Sequence, residues 1–214
     1  MFAKNYSQYY DLFHKDKPYK QETKFVYEWA MKPKSILDIG CGTAIYWKYF
    51  PRATEIMGIE KSKQMINGHA KDGKIICADV SELPLGFEKF DSAMALFNVI
   101  NYIPINDWWK KIPIKKGGYF IFDIWNKSKV MRDGFKTTTK VIGDVFRRIT
   151  PDRWDNNSVD LKIEFGNQKD YSVEFHRMFL HSHKDILGFC GKHFELVCVK
   201  QTDSWQTWYK CRRK

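Results

Sequence analysis

Short apolar runs alternate with stretches of helical periodicity over the first two-thirds of the chain. Phe25, Val26, Trp29 and Ala30 fall on one stripe and predict a helix over residues 20–31, which Pro33 ends because proline cannot continue the backbone ladder. Ser35-Ile36-Leu37-Asp38-Ile39 is too continuously apolar for one wet face and reads as a strand buried on both sides. Residues 55–60, 74–78 and 90–97 repeat that texture. Helices are predicted between these runs over 43–50, from an N-cap at Ser62 to about residue 70, and over 105–112. Gly117-Gly118 opens a fifth strand, 119–124. This alternation specifies an α/β fold, a parallel sheet with helices on both faces.

The texture changes after residue 136. Segments 137–149, 158–166 and 170–180 alternate apolar with polar residues, with turn residues at 155–157 and 166–167. They predict an antiparallel β-rich insert after the fifth strand. A helix over 183–190 and strands over 193–200 and 205–211 close the chain. No repeat or low-complexity linker interrupts it, so one domain is expected. Its parts are an arm and helix at 1–31, a ligand-binding core at 34–124, a β-rich lid at 137–180, and a final helix and strands at 183–214.

Composition adds three constraints. A chain of 214 residues, 43% hydrophobic, can bury a core without metals or disulfides. The net charge of +11 raises the local concentration of anionic partners, although the lysines are scattered. The five cysteines are odd in number and form no CxxC, which argues for a reducing compartment and a cytoplasmic protein. No apolar run approaches a membrane span and the start has no signal-peptide pattern, so no membrane partner is expected. His181 and His183 lack an acid or Cys that would complete a ligand set, so no metal is expected.

The sharpest chemical feature is Ile36-Leu37-Asp38-Ile39-Gly40-Cys41-Gly42-Thr43-Ala44. A buried strand ends near an acid, and a Gly-x-Gly turn lets the backbone approach a ligand closely. Dinucleotide folds use the same device for a pyrophosphate. Here Ile45 stands where their third small residue would be, and Asp38 at the mouth would repel a pyrophosphate but attract an ammonium. S-adenosylmethionine (SAM) has no phosphate and carries an α-amino group and a sulfonium. Glu60 ends the second strand, 18 residues after Gly42, where an acid can take both ribose hydroxyls. Asp79 ends the third strand, where an adenine amine needs an acceptor.

These residues resemble the motifs of class I SAM-dependent methyltransferases. Ile36–Ala44 resembles motif I, Gly58–Met65 motif II, Ala78-Asp79-Val80 with Leu83-Pro84 motif III, and Phe90-Asp91 with Phe97–Tyr102 motif IV. Gly117–Asp123 resembles the fifth-strand motif, so the likeness covers residues 34–124. It implies a Rossmann-like fold, SAM as cofactor, and cofactor contacts from Tyr19, Asp38, Gly40, Cys41, Gly42, Glu60, Lys61, Met65, Asp79, Val80 and Phe97. Ala44 departs from the family's third glycine and is tolerable if its φ is negative.

Tyr9–Tyr19 is similar to the start of small-molecule methyltransferases related to the amino-sugar N-methyltransferases, which also carry a β-rich insert. That likeness implies Tyr19 on the SAM carboxylate and Tyr10, Trp125 and Arg177 near the acceptor. Methyl transfer needs positioning and the exclusion of water. Where the acceptor must lose a proton, Tyr10, Tyr102 and His176 are the candidate bases, and solvent is the alternative. The expected acceptor is an amine or hydroxyl of a small molecule, and a sugar nucleotide would suit the positive charge. Nucleic acid or protein as acceptor, and a non-catalytic SAM-binding protein, stay open. Against a DNA exocyclic-amine enzyme, Phe97-Asn98-Val99-Ile100 has no proline.

Overall fold

The computed structural model describes residues 4–66, 74–82, 89–104, 107–191 and 193–214. The apolar runs form β1 (Ser35–Ile39), β2 (Glu55–Glu60), β3 (Ile75–Cys77), β4 (Phe90–Ala95) and β5 (Ile114–Trp125). The later segments form β6 (Thr138–Ile142), β7 (Val145–Trp154), β8 (Ser158–Gly166), β9 (Tyr171–Phe179), β10 (Phe194–Gln201) and β11 (Gln206–Arg213). The α-helices are α1 (Lys4–Phe13), α2 (Tyr19–Trp29), α3 (Lys63–Ile66), α4 (Lys127–Asp133) and α5 (His183–Cys190).

Seven strands make the main sheet in the order β10-β11-β5-β4-β1-β2-β3. β1 to β5 pair in parallel, and β11 and β10 add antiparallel strands beside β5. The chain runs outward from β1 through β2 to β3, then returns to lay β4 on the other side of β1. That reversal opens a crevice beyond the C-terminal ends of β1 and β4, where open α/β sheets bind ligands. Alternation along each strand divides the core. Ile36, Met94, Ile121 and Trp208 pack under Val26 and Ala30 on one face. Leu37, Ile39, Phe120, Phe122 and Tyr209 pack with Trp109 and Ile186 of α5 on the other.

Several predicted helices are shorter than their patterns. Over 43–50 only a 3-10 turn forms, Trp47–Tyr49. Ala44 has a φ of +56°, a left-handed conformation that cannot begin an α-helix, so the negative φ that would excuse it is not adopted. Over 105–112 another 3-10 turn forms at Asp107–Lys111, and Pro113 allows no extension, while residues 105 and 106 lie outside those described. The helix after Ser62 is described as α3, and residues 67–70 lie outside the described range. Conversely, α1 and α4 were not expected. α4 has readable ends: Asn126 caps it by accepting from Lys129 N at 3.0 Å, and Gly134 follows its last residue.

The insert is a second sheet, β6-β7-β8-β9, antiparallel throughout. The segment 137–149, read as one strand, turns back on itself at Gly143, whose φ of +62° suits the tight hairpin. Phe13 of α1 packs on Val145, Ile163 and Phe165 of this sheet. Asn101, wholly buried, ties the two sheets together. Its Nδ2 donates to Phe179 O of β9 at 2.6 Å, and its Oδ1 accepts from Trp125 N of β5 at 3.0 Å. Among the described residues no helix is long and apolar enough to cross a membrane.

Asn101→Leu would take away the side-chain partner of the half-buried Trp125 N–H and Phe179 C=O. It is expected to cost roughly 2–4 kcal/mol in urea unfolding. A loss under about 1 kcal/mol would mean that Asn101 does not hold the sheets together.

Candidate functional site

The end of β1 sets the first wall. Asp38 is buried, and its Oδ2 accepts from Trp47 Nε1 at 2.7 Å. Burial pushes its pKa up to about 7; the Trp47 hydrogen bond opposes the shift and the neighbouring Glu60 adds to it. Gly40 and Gly42 both take left-handed φ values, +66° and +56°. A Cβ on Gly40 would sit 2.5 Å from Val99 Cγ1, so this turn passes too close to the next loop for any side chain. Gly40 N and Cys41 N both donate to Ile59 O, at 2.7 and 3.2 Å.

Glu60 closes the turn. Its Oε2 accepts from Gly42 N at 2.9 Å and its Oε1 from Ser62 N at 2.7 Å. Burial nonetheless holds its pKa above the usual carboxylate value. Asp79 differs: partial burial pushes upward, but hydrogen bonds from Lys61 and Ser81 prevail and hold it below the usual value. Lys61 Nζ lies 2.7 Å from Asp79 Oδ2, and Ser81 N and Oγ donate to Oδ1 at 2.9 and 2.7 Å. Met65 and Val80 are buried beside them.

The opposite wall is a strained turn after β4. Phe97 and Asn98 have φ values of +66° and +61°, uncommon for residues with a Cβ. The wholly buried Asp123 of β5 holds them, accepting from Phe97 N at 2.6 Å, Asn98 N at 3.1 Å and Gln206 Nε2 at 3.1 Å. Burial pushes Asp123 up to about 6, against the pull of these donors. The Asn98 side-chain amide bridges Asp123 Oδ2 and Trp125 Nε1, at 3.2 Å each.

Between the C-terminal edge of the main sheet and the inner face of the second lies a cavity of about 720 Å³. Every residue expected at the site borders it, from Tyr10 and Tyr19 through Asp38, Gly40, Cys41, Gly42, Glu60, Lys61, Met65, Asp79, Val80 and Phe97 to Tyr102, Trp125, His176 and Arg177. The Tyr19 hydroxyl is buried and has no hydrogen-bond partner among the described residues, and burial raises its pKa. Tyr10 packs on His14 and Phe97, with ring centroids 4.5 and 6.4 Å apart. Arg177 is less well placed than its neighbours: its guanidinium is largely exposed and meets Asp160 Oδ1 at 3.4 Å.

Other residues at the site gave no local signal. Arg147 borders the cavity, with Nη1 2.8 Å from His14 Nε2. Burial, and then the charge of Arg147, take the His14 pKa down to about 3, so the imidazole is neutral and can accept from the guanidinium. Glu174 lies 2.8 Å from His176 Nε2, and Trp47 and Asp123 hold the two walls. His181 is buried, its Nε2 facing Ile100 O at 3.1 Å, and the exposed His183 faces Tyr209 Oη through Nδ1 at 3.3 Å. Among the described residues no three His, Cys, Asp or Glu are grouped to hold a metal.

Residues 36–112 match the family model of a methyltransferase domain. No curated protein matches the sequence. Among solved structures, a SAM-dependent methyltransferase from Clostridium acetobutylicum superposes with a TM-score of 0.81 at 20% identity, over 96% of each chain. DesVI from Streptomyces venezuelae gives 0.81 at 18% identity over 98% of each. SAM-bound CalS10 from Micromonospora echinaspora, an amino pentose methyltransferase, gives 0.76 at 16% identity, over 100% of this chain and 98% of that one. Residues 36–112 thus match a methyltransferase-domain model, and the chain as a whole has the fold of these SAM-dependent methyltransferases.

The cavity's chemistry fits that cofactor. Two left-handed glycines bare the main chain and, among the described residues, a buried tyrosine hydroxyl has no partner and two buried carboxyls have no neutralising cation.

Asp38 carries a stability consequence. A carboxyl whose folded pKa exceeds its unfolded value of 3.8 does no harm below that value, and its full cost is reached above about 7. Asp38→Asn, which keeps an acceptor for Trp47, is expected to stabilise the ligand-free protein by roughly 2–4 kcal/mol at pH 8. The gain should vanish as the pH falls to about 4. Urea unfolding at both pH values checks this; an equal effect at both would contradict it.

Proposed function

We propose that this protein moves the methyl group of SAM to an amine or hydroxyl of a small molecule held between the two sheets. Bound SAM supplies an electrophilic methyl carbon on a sulfonium. Asp38, Gly40, Cys41 and Gly42 surround its methionine part, and Tyr19 gives its free hydroxyl to the carboxylate. Glu60 takes the ribose hydroxyls on the carboxylate lone pairs not used by Gly42 N and Ser62 N. Lys61, Asp79, Val80 and Met65 surround the adenine. Phe97 covers the middle, between cofactor and acceptor.

The 137–180 segment acts as the lid over the acceptor. Tyr10, Tyr102, Trp125 and His176 line that half, with Arg177 at its rim. The protein's task there is to hold the nucleophile in line with the methyl carbon and to exclude water. Tyr10, Tyr102 and His176 are the residues placed to receive the acceptor's proton.

The observation that carries the reading is the two-sided cavity itself, acids and bare main chain on one side, aromatics and an arginine on the other. Its size of about 720 Å³ suits a cofactor with a small acceptor better than a polymer. Arg147, which borders the cavity beside a neutral His14, favours an anionic group on that acceptor, as in a sugar nucleotide. The likeness to an amino pentose methyltransferase points the same way.

The test is transfer of a labelled methyl group from SAM into a cell extract separated into small-molecule, nucleic-acid and protein pools. Label is expected in the small-molecule pool, and Asp38→Asn is expected to lower it at least ~10-fold through weakened SAM binding, since a hydrogen-bonded charge pair is worth more than about 1.4 kcal/mol. Label confined to the nucleic-acid or protein pool would overturn the acceptor assignment.

A further inference from the structure

We propose that Glu174, His176 and Tyr102 form a proton relay whose outer end, the Tyr102 hydroxyl, takes the proton released by the methyl acceptor. The inference rests on the methyl-transfer reading above and adds the residue that gives the relay its direction, Glu174.

Glu174 and His176 are alternate residues of β9, so their side chains leave the same face of the second sheet. Both side chains are 3% exposed. Glu174 Oε2 lies 2.8 Å from His176 Nε2, and His176 Nδ1 lies 3.3 Å from Tyr102 Oη. Tyr102 comes from the other half of the molecule, the 3-10 turn Val99–Tyr102 after β4. Its ring meets the imidazole edge-on with centroids 5.7 Å apart. The preceding residue, Asn101, is pinned to β9 and β5, which fixes this turn against the second sheet. Tyr102 is 39% exposed and borders the cavity. The three groups therefore run from a buried carboxylate to the acceptor space.

A carboxylate can only accept, so Glu174 places the proton of a neutral imidazole on Nε2. The Nδ1 lone pair is left facing the Tyr102 O–H. In the transfer, the acceptor's lone pair forms the bond to the methyl carbon as the carbon–sulfur bond breaks and its electron pair goes to sulfur. The acceptor's proton passes to Tyr102 Oη, and the Tyr102 proton passes to His176 Nδ1. The resulting imidazolium faces the Glu174 carboxylate, which stabilises it where water is excluded. Glu174 touches neither reactant and is a positioning residue.

The test pairs a spectroscopic readout with kinetics. Long-range proton–nitrogen NMR on ¹⁵N-labelled protein reads which nitrogen of His176 carries the proton. Methyl transfer is measured with labelled SAM and dilutions of the small-molecule fraction of a cell extract. Neutral His176 is expected as the Nε2–H tautomer in the wild type and in Glu174→Gln, and as a mixture in Glu174→Leu. Glu174→Gln and Tyr102→Phe are each expected to lower apparent kcat ~10–100-fold. Apparent KM and S-adenosylhomocysteine affinity should stay within about twofold, and the double variant should be no slower than the worse single one. An Nδ1–H tautomer in the wild type, losses that multiply in the double variant, or losses carried by KM would overturn the relay. If the wild type binds S-adenosylhomocysteine but labels no small molecule, the acceptor reading fails, and the tautomer alone decides the relay.

Discussion

The site depends on a carboxyl that the fold makes uncomfortable. Asp38 sits at the end of the central strand β1, where the neighbouring strands β2 and β4 shield it from water. The Trp47 indole N–H donates to it, and that does not offset its burial. Glu60 on the adjacent strand is in the same condition; one oxygen holds the glycine turn through Gly42 N and the other holds the start of the next segment through Ser62 N. A pair of buried acids with raised pKa values is a standing cost to the empty protein and a ready partner for a cationic ligand. The glycine turn, the Trp47 contact and the order reversal between β1 and β4 all serve to hold these acids at one crevice.

The second constraint is the joining of two sheets that have no strand in common. Asn101 bonds to both, and α1 packs on the second sheet through Phe13 while Thr43 Oγ1 of the glycine loop donates to Asp11 Oδ1 at 2.7 Å. The cavity is thereby closed by three separate parts of the chain. Asp123 extends the same logic: a buried acid holds Phe97 and Asn98 in left-handed conformations, so the strain of that turn is met by hydrogen bonds from their own amides. Strain and buried charge are concentrated where the ligands are proposed to lie.

Much of this was legible in the sequence because the signals were local. The continuous apolar runs located β1, β2, β4 and β5, and the Asp38-x-Gly40-x-Gly42 pattern with Glu60 and Asp79 located one wall of the cavity. What escaped depended on pairing across long stretches of chain. Glu174 looks like any strand carboxylate until β9 is laid against the turn at Tyr102. Arg147 and His14 meet only when α1 and β7 come together. The hairpin at Gly143 and the caps of α4 were written locally, but each is a single residue in a stretch whose alternation reads smoothly through it. Over 43–50 the helical pattern was overruled by the backbone, since Ala44 must follow the glycine turn into a left-handed conformation.

The central claim is that the Asp38 carboxyl, held up to about 7 by burial, ionises to receive the cofactor's ammonium. Calorimetric titration with S-adenosylhomocysteine at pH 6, in two buffers of different ionisation enthalpy, measures the protons exchanged on binding. At that pH the ligand's α-amino group, with an ordinary pKa of about 7.7–8, stays protonated. The account predicts release of about one proton from the wild type and almost none from Asp38→Asn. Binding to the wild type with no proton released, or the same release from the variant, would contradict it.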